Sequence, residues 1–212
     1  MLDCGCGTGQ AILRFGLTQN GFDSVVGIDH SRSMLDALRQ KLHETQKSRI
    51  RLIQDDVIEW LARGEESGFD LITAIGFLHH LSDEQVVQTL RLMTERVGPG
   101  GQIVIAEPMI DEKLSEPALI RWWNRHSLAR GAGYSTPADE PDERPLPRNL
   151  LYSAFDQARL RVEAHTSSWE IFNRSTRPGW TERSLIGLLY RWGGPGIVNA
   201  WKLQPIVDEG QA

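Results

Sequence analysis

The first ten residues of the chain, MLDCGCGTGQ (residues 1–10), place three glycines at alternate positions. Gly5, Gly7 and Gly9 follow an acid, Asp3, that lies two places ahead of the first glycine. Glycines in a turn between a strand and a helix let the backbone approach a ligand closely, and the N-terminus of the helix favours negative charge. The stretch therefore predicts a nucleotide-type ligand at the end of the first strand, with a plain tight turn as the alternative.

Two phosphate-binding motifs do not fit this turn. A dinucleotide-binding turn spaces its glycines as G-x-G-x-x-G, which counted from Gly5 requires glycine at position 10, where the chain has Gln10. A P-loop requires glycine and lysine followed by serine or threonine, and the turn has no such sequence. The spacing thus indicates a different kind of nucleotide ligand.

The pattern that follows the turn alternates between apolar strands and amphipathic helices. The predicted strands are Met1–Asp3, Ser24–Asp29, Ile50–Gln54, Phe69–Ala74 and Gln102–Ala106. The predicted helices are Gln10–Leu17 with Ala11, Ile12 and Phe15 on one face, Ser31–Glu44 with Met34, Leu35, Leu38 and Leu42 on one stripe, Val57–Ala62, and a helix that begins at the capping box Ser82–Gln85. This order predicts an α/β fold, a doubly wound and mostly parallel sheet with helices on both faces.

Five stretches between residues 1 and 108 carry a family resemblance, in the right order and spacing. They are LDCGCGTG (2–9), VVGIDHS (25–31), IQDDV (53–57), FDLITAIGFLHHLSD (69–83) and VGPGGQIVIAEP (97–108). With these motifs the chain resembles the class I S-adenosylmethionine-dependent methyltransferases, in particular the methyltransferase-domain proteins that act on small molecules. The resemblance covers about half of the chain and implies a Rossmann-like sheet of the seven-strand methyltransferase type.

The resemblance implies S-adenosyl-L-methionine as cofactor and gives roles to individual residues. The glycine turn lies against the methionine part, Asp29 accepts hydrogen bonds from both ribose hydroxyls, and Asp56, favoured over Asp55, lies near the adenine amine. The residues expected to bind the cofactor are Asp3, Gly5, Cys6, Gly7, Thr8, Gly9, Asp29, His30, Met34, Asp55, Asp56, Val57, Ala74, Ile75 and Gly76. Helix capping is the alternative role for Asp29, Asp55 and Asp56.

His79 and His80 are the candidate catalytic residues. Histidine titrates near neutrality and can take a proton from a nucleophile. The alternative is a structural histidine that bonds the backbone near the cofactor pocket. A base is needed only where the nucleophile carries a proton, so the sequence leaves both roles open.

The class of molecule that accepts the methyl group is narrowed by motifs that this chain does not contain. Methyltransferases that act on exocyclic amines of nucleic acids typically read [DNS]-P-P-[YFW] after strand four, where this chain reads AIGF (74–77). Attack on pyrimidine C5 requires a cysteine nucleophile, and both cysteines, Cys4 and Cys6, lie in the glycine turn. The net charge of −5 also argues against a nonspecific nucleic-acid partner. A small-molecule acceptor is therefore expected, with neither a metal nor a membrane span.

The regions beyond residue 108 carry weaker signals. The predicted elements are a helix over Ser115–Ala129, a loop over Ala138–Arg148, a helix over Asn149–Leu160, a strand over Arg161–Phe172, a helix over Thr181–Arg191 and a strand over Ile197–Leu203. We expect a cofactor-binding core over 1–108, an insertion over 109–148 that serves as a substrate cap, and a C-terminal part over 149–212 that completes the sheet. Trp122 and Trp123, with Arg121 and Arg125, either line an anion-friendly pocket or pack on the sheet.

The start of the chain is short for the family, whose members carry a full first strand and helices before it. A late-assigned start codon, a fragment and a lost lid are the three explanations. The alternative function is accordingly a truncated, noncatalytic relative that binds cofactor weakly or serves as a partner subunit. A different transfer reaction on the same cofactor scaffold is also open. The sequence has neither a signal peptide nor a long apolar run, so a cytoplasmic location is expected. A monomer or a homodimer is expected as the oligomeric state.

Overall fold

A twisted sheet forms the centre of the molecule, which is a computed structural model that describes residues 1–17, 21–110, 146–167 and 198–206. Its strands are β1 (Leu2–Cys4), β2 (Val25–Asp29), β3 (Ile50–Gln54), β4 (Phe69–Ile75), β5 (Val97–Ile110), β6 (Leu146–Pro147), β7 (Leu160–Ser167) and β8 (Val198–Pro205). They lie in the order β3-β2-β1-β4-β5-β8-β7, and β6 pairs with β5. The first five strands are parallel, whereas β8 runs antiparallel to both β5 and β7.

The strand order reverses between β1 and β4, which lie side by side at the middle of the sheet. The chain runs outward from β1 to β3 on one side and from β4 through β5 on the other. A ligand crevice forms at such a reversal, outside the carboxyl ends of the strands. The predicted doubly wound, mostly parallel sheet is confirmed, and the glycine turn lies at this crevice.

The helices are short and several begin with a side-chain cap. They are α1 (Arg32–Lys41), α2 (Glu44–Lys47), α3 (Val57–Arg63), α4 (Asp83–Arg96) and α5 (Arg148–Gln157), with a π-helical turn at Ile12–Gly16 and a 3₁₀ turn at Leu78–His80. Ser82 caps α4 as predicted, since its hydroxyl accepts from the Gln85 amide while the Gln85 side chain accepts from the Ser82 amide. No helix within the described residues is long and apolar enough to cross a membrane.

Hydrophobic clusters cover both faces of the sheet. Alternate residues of a strand point to opposite faces, so Val26 and Ile28 join one cluster while Val25 joins the other. The larger cluster contains side chains of α3, α4 and α5, among them Trp60, Leu90 and Phe155. The smaller one contains Leu35 and Leu38 of α1 together with Ile12, and this division confirms the expected helices on both faces.

Several predicted boundaries are wrong. The helix expected over Gln10–Leu17 is a π-helical turn in which the Leu17 amide bonds the Ile12 carbonyl, five residues back, at 2.9 Å. This looser winding turns Phe15 away from the core, and the residue is 52% exposed.

Two further elements differ in length from the sequence prediction. The helix predicted over Ser31–Glu44 ends at Lys41, because the chain turns extended at Leu42 before the separate helix α2. The fifth strand is longer than Gln102–Ala106, since its pairing with β4 begins at Val97. A register shift between Phe69 and Leu71 of β4 accommodates the glycines that follow Val97.

The C-terminal helix and strand predictions agree where the structure describes the chain, whereas the loop expected over Ala138–Arg148 ends in strand β6 and the first residue of α5. Helix α5, strand β7 and strand β8 correspond to the elements expected over 149–160, 161–172 and 197–203. The elements predicted over Ser115–Ala129 and Thr181–Arg191, and the tryptophan pair at 122–123, lie outside the described residues.

Candidate active site

The glycine turn joins β1 to the π-helical turn and is held by backbone hydrogen bonds, one of them to β2. The Cys6 amide donates to the Ile28 carbonyl at 2.9 Å and the Gly9 amide donates to the Cys6 carbonyl at 2.8 Å. Gly5, Gly7 and Gly9 all have positive φ angles, of 67°, 49° and 83°. The backbone of this turn therefore follows a path that residues with a Cβ rarely adopt, which explains the three alternate glycines.

The three glycines face different surroundings. A Cβ on Gly5 would lie 2.5 Å from the Phe77 ring, and a Cβ on Gly9 would lie 2.2 Å from Leu38. A Cβ on Gly7 would have no atom within 4 Å. Gly5 and Gly9 thus permit close packing inside the protein, whereas Gly7 borders open space on the outer side of the turn.

Asp29, at the end of β2, is 8% exposed and holds the turn in place. Its Oδ2 accepts from the Gly7 amide at 2.7 Å, and its Oδ1 accepts from the Ser31 amide at 2.8 Å. A carboxylate has about four acceptor positions, so about two remain for a ligand. Asp29 is not the N-cap of α1, because the Ser31 hydroxyl accepts from the Met34 amide.

Asp3 lies on β1 below the turn and is 2% exposed. The Thr73 hydroxyl of β4 donates to its Oδ1 at 2.6 Å. Burial raises the pKa of Asp3 to about 7, the Thr73 hydrogen bond opposes this rise, and the negative charge of Asp29 adds to it. Asp3 is therefore a buried carboxyl group that can change its charge near neutral pH.

The two acids after β3 have different partners. Asp55 forms an ion pair with Arg63, and its Oδ1 accepts from the Asp56 amide at 2.9 Å. Asp56 caps α3, because its Oδ1 accepts from the Glu59 amide at 2.9 Å. The capping role considered for Asp56 is thus present, and it uses one of the two carboxylate oxygens.

His79 lies in the 3₁₀ turn after β4, with its side chain 12% exposed. Its Nδ1 lies 2.7 Å from Oε2 of Glu107, a residue in the last part of β5. Glu107 Oε1 accepts from the Phe77 and Leu78 amides at 2.8 and 2.6 Å. His80 is exposed, and its ring centroid is 4.1 Å from that of His79.

The other predicted cofactor-binding residues lie at strand ends or in the first turns that follow them. They are Cys6, Thr8, His30, Met34, Val57, Ala74, Ile75 and Gly76. The His30 ring is 77% exposed, with its Nδ1 3.9 Å from Asp29 Oδ1. Burial, chiefly, raises the pKa of the Cys4 and Cys6 thiols, which therefore stay protonated. Cys4 ends β1 and belongs to the larger hydrophobic cluster, whereas Cys6 belongs to the smaller one.

Sequence reasoning missed four residues that hold the site together. Thr73 and Glu107 bond to Asp3 and His79, Phe77 packs on Gly5, and Lys41 Nζ donates to the Thr8 carbonyl at 3.0 Å. Glu107 carried a signal, since an acid follows the apolar run of the fifth motif. The other three became visible only through contacts between distant segments.

Comparison with known proteins finds similar sequences. Residues 1–101 match the family model described as a methyltransferase domain. Demethylmenaquinone methyltransferase of Oceanobacillus iheyensis is 33% identical over 120 residues, which are 56% of this chain and 46% of that protein. The homologous enzyme of Bacillus cereus is 31% identical over the same shares. The chain thus spans about half the length of the curated relatives it matches.

Solved structures share the fold at low sequence identity. Geranyl diphosphate C-methyltransferase from Streptomyces coelicolor superposes with a TM-score of 0.68 and 14% identity, over 97% of this chain and 72% of that one. A cyclopropane synthase from Mycobacterium tuberculosis gives a TM-score of 0.62 and 16% identity, over 95% and 76% of the two chains. At such identities the likeness shows the fold alone.

Proposed function

We propose, from the match of residues 1–101 to a methyltransferase-domain model, that the chain is an S-adenosylmethionine-dependent methyltransferase for a small-molecule acceptor. The observation that carries the proposal is the hydrogen bond between the Gly7 amide and Asp29. It sets a carboxylate with spare acceptor positions beside a glycine that borders open space.

The residues present fit S-adenosylmethionine. Asp29 would hold the ribose hydroxyls with the acceptor positions that the backbone leaves unused. Asp56, whose second oxygen is not used by the helix cap, would take the adenine amine, because Asp55 is committed to Arg63. The glycine turn and Asp3 would face the methionine part. When bound, this cofactor supplies an electrophilic methyl group on a positively charged sulfur.

The protein's own part in the reaction is alignment, exclusion of water and movement of a proton. His79 is the better placed of the two predicted bases, because the buried Glu107 fixes its ring whereas His80 is exposed. We propose that His79 takes a proton from the methyl-accepting substrate and that His80 lies beside His79 in the catalytic site.

The names of the similar proteins and the sequence after β4 both favour a small molecule as the methyl acceptor. The relatives named above act, by name, on demethylmenaquinone and on geranyl diphosphate, so we take these two compounds as the first acceptors to try. The match covers 46% of the curated relatives, and their substrate is therefore a starting point for a screen. A cytoplasmic location and the oligomeric state remain predictions.

Calorimetric titration with S-adenosylhomocysteine tests the proposal. Micromolar binding that is weakened in Asp29→Ala and kept in Asp23→Ala, an exposed acid just before β2, would support it. Turnover of methyl-labelled S-adenosylmethionine with the two acceptors would then define the reaction. Binding without turnover on a wide acceptor panel favours a noncatalytic relative, and absence of binding contradicts the cofactor assignment.

A further inference from the structure

Glu107 is a fully buried carboxylate beside the ligand crevice. None of the predicted cofactor-binding or catalytic roles belongs to it. Its exposed fraction is 0%, and its two oxygens make three hydrogen bonds to three consecutive residues, Phe77, Leu78 and His79. A buried carboxylate is costly unless it is well paired, and these three hydrogen bonds offset the cost of burying Glu107.

The two oxygens of Glu107 do different work. Oε1 accepts from the Phe77 and Leu78 amides, which fixes the backbone of the turn after β4. Oε2 faces Nδ1 of His79 at 2.7 Å. A carboxylate accepts hydrogen bonds and donates none, so Nδ1 of the neutral imidazole carries the proton and Nε2 keeps its lone pair.

The same turn is packed against the glycine turn. The Phe77 side chain packs directly against Gly5. A Cβ built on Gly5 would lie 2.5 Å from the Phe77 ring and 2.9 Å from the Phe77 Cβ, which is too close for a real contact. The Phe77 amide is held by Glu107 on the other side. Glu107 thus connects the histidine to the backbone expected to hold the cofactor.

We propose that Glu107 is a positioning residue that keeps Nε2 of His79 as a proton acceptor and fixes it relative to the glycine turn. This inference rests on the proposed methyltransferase function. It deepens that function by defining the acceptor as one that gives up a proton, such as a phenolic or enolic hydroxyl. The O–H bond breaks with its electron pair left on oxygen, and the proton forms an N–H bond at Nε2.

Glu107→Gln tests the proposal without a known acceptor. The glutamine carbonyl can accept from the Phe77 and Leu78 amides, which places its NH₂ group against Nδ1 of His79. Two donors cannot face each other there, so the imidazole proton must move to Nε2. The variant should fold as wild type and change the tautomer of one histidine.

Long-range ¹H–¹⁵N spectra of ¹⁵N-histidine protein report the tautomer directly. At about pH 8.5, roughly two units above the ordinary histidine pKa, we expect Nδ1–H for His79 in wild type and Nε2–H in Glu107→Gln. His79→Gln identifies the His79 signals, and His165, bonded through Nε2 to Asn199, serves as the histidine that does not change. Nε2–H in wild type, or an unchanged tautomer in a folded Glu107→Gln protein, would overturn the proposal.

Titration with S-adenosylhomocysteine tests the link to the turn. Glu107→Gln should keep the affinity within about threefold, whereas Glu107→Ala should lower it about tenfold, because the Phe77 and Leu78 amides lose their acceptor. Equal affinity in a folded Glu107→Ala protein would overturn the link, and if this variant does not fold, Phe77→Leu takes its place. A wild-type protein that binds no S-adenosylhomocysteine would sink the proposed function, while the tautomer would still decide the role of Glu107.

Discussion

The backbone amide of Gly7 donates a 2.7 Å hydrogen bond to Asp29 Oδ2, which joins the turn after β1 to the carboxylate after β2. The two residues are 22 positions apart in sequence. Asp29 is 8% exposed, and its other oxygen holds the Ser31 amide. One side chain therefore shapes the glycine turn and supplies the acceptor expected for the ribose.

Asp29→Ala should weaken S-adenosylhomocysteine binding by about 1–3 kcal/mol, because a charged acceptor is lost and two backbone amides lose their partner. Calorimetry measures the affinity, and circular dichroism establishes that the variant is folded. Asp23→Ala is the matched control and should bind as wild type. An affinity in Asp29→Ala equal to that of wild type would refute the ribose assignment.

Substitution of two glycines in the same turn should separate stability from binding. Gly5→Ala places a Cβ against the Phe77 ring and its Cβ, which cannot swing away, and should lower the free energy of unfolding by roughly 2–4 kcal/mol. Gly7→Ala meets no atom within 4 Å and should cost only about 1–2 kcal/mol, from its positive φ.

The affinity for S-adenosylhomocysteine should fall more in Gly7→Ala than in Gly5→Ala, the reverse of the order expected for stability. The Gly7→Ala methyl enters the open space of the crevice, so S-adenosylhomocysteine affinity should fall by about tenfold or more although the protein stays folded. Urea unfolding and calorimetry on the same preparations give both numbers. A Gly7→Ala protein with wild-type affinity would show that the ligand lies elsewhere.

The alternating strands and helices were predictable from sequence because they depend on local periodicity. The apolar runs at β2, β3 and β4 and the stripe of Leu35 and Leu38 needed no knowledge of the rest of the chain. The glycine turn was predictable for a similar reason, since its backbone path requires positive φ at three fixed positions.

The contacts that complete the site could not be predicted in this way. Lys41 reaches the Thr8 carbonyl across 33 residues and Glu107 reaches His79 across 28, so neither contact leaves a periodic signal. The π-helical turn was missed because hydrophobic spacing was interpreted with an α-helical period. The i to i+5 bond from Leu17 to Ile12 changes which residues share a face.

The assignment of Asp56 rather than Asp55 to the adenine amine predicts a change in base specificity. Asp56→Ala should remove the preference for S-adenosylhomocysteine over its inosine analogue, which has a carbonyl in place of the amine. Asp55→Ala should keep that preference, because it loses mainly the ion pair with the part-exposed Arg63. Competition binding with the two analogues decides, and a preference lost in Asp55→Ala alone would reverse the assignment.

Asp56→Ala should also destabilise the fold. The loss of the hydrogen bond to the Glu59 amide at the start of α3 should cost about 1 kcal/mol. Asp56→Asn, which keeps an acceptor for that amide, separates the cap from the base contact. The asparagine variant should recover most of the stability, as measured by urea unfolding.

Asp3 gives the fold a pH dependence whose sign follows from its raised pKa. The ordinary aspartate pKa is about 4, and burial raises that of Asp3 to about 7 in the folded state. Between these values the folded protein holds a proton that the unfolded chain has released, so the Asp3 contribution to stability falls as pH rises from about 4 to about 7. Above pH 7 the contribution is level.

Asp3→Asn mimics the protonated group and should remove this dependence. Relative to wild type, the stability advantage of the variant should grow by on the order of 3 kcal/mol between pH 5 and pH 8. Thr73→Val removes the hydrogen bond that favours the charged carboxylate, so its window should extend above pH 7. Urea unfolding from pH 4.5 to 9 tests both variants, and parallel curves for wild type and Asp3→Asn would show that Asp3 ionises at its ordinary pKa.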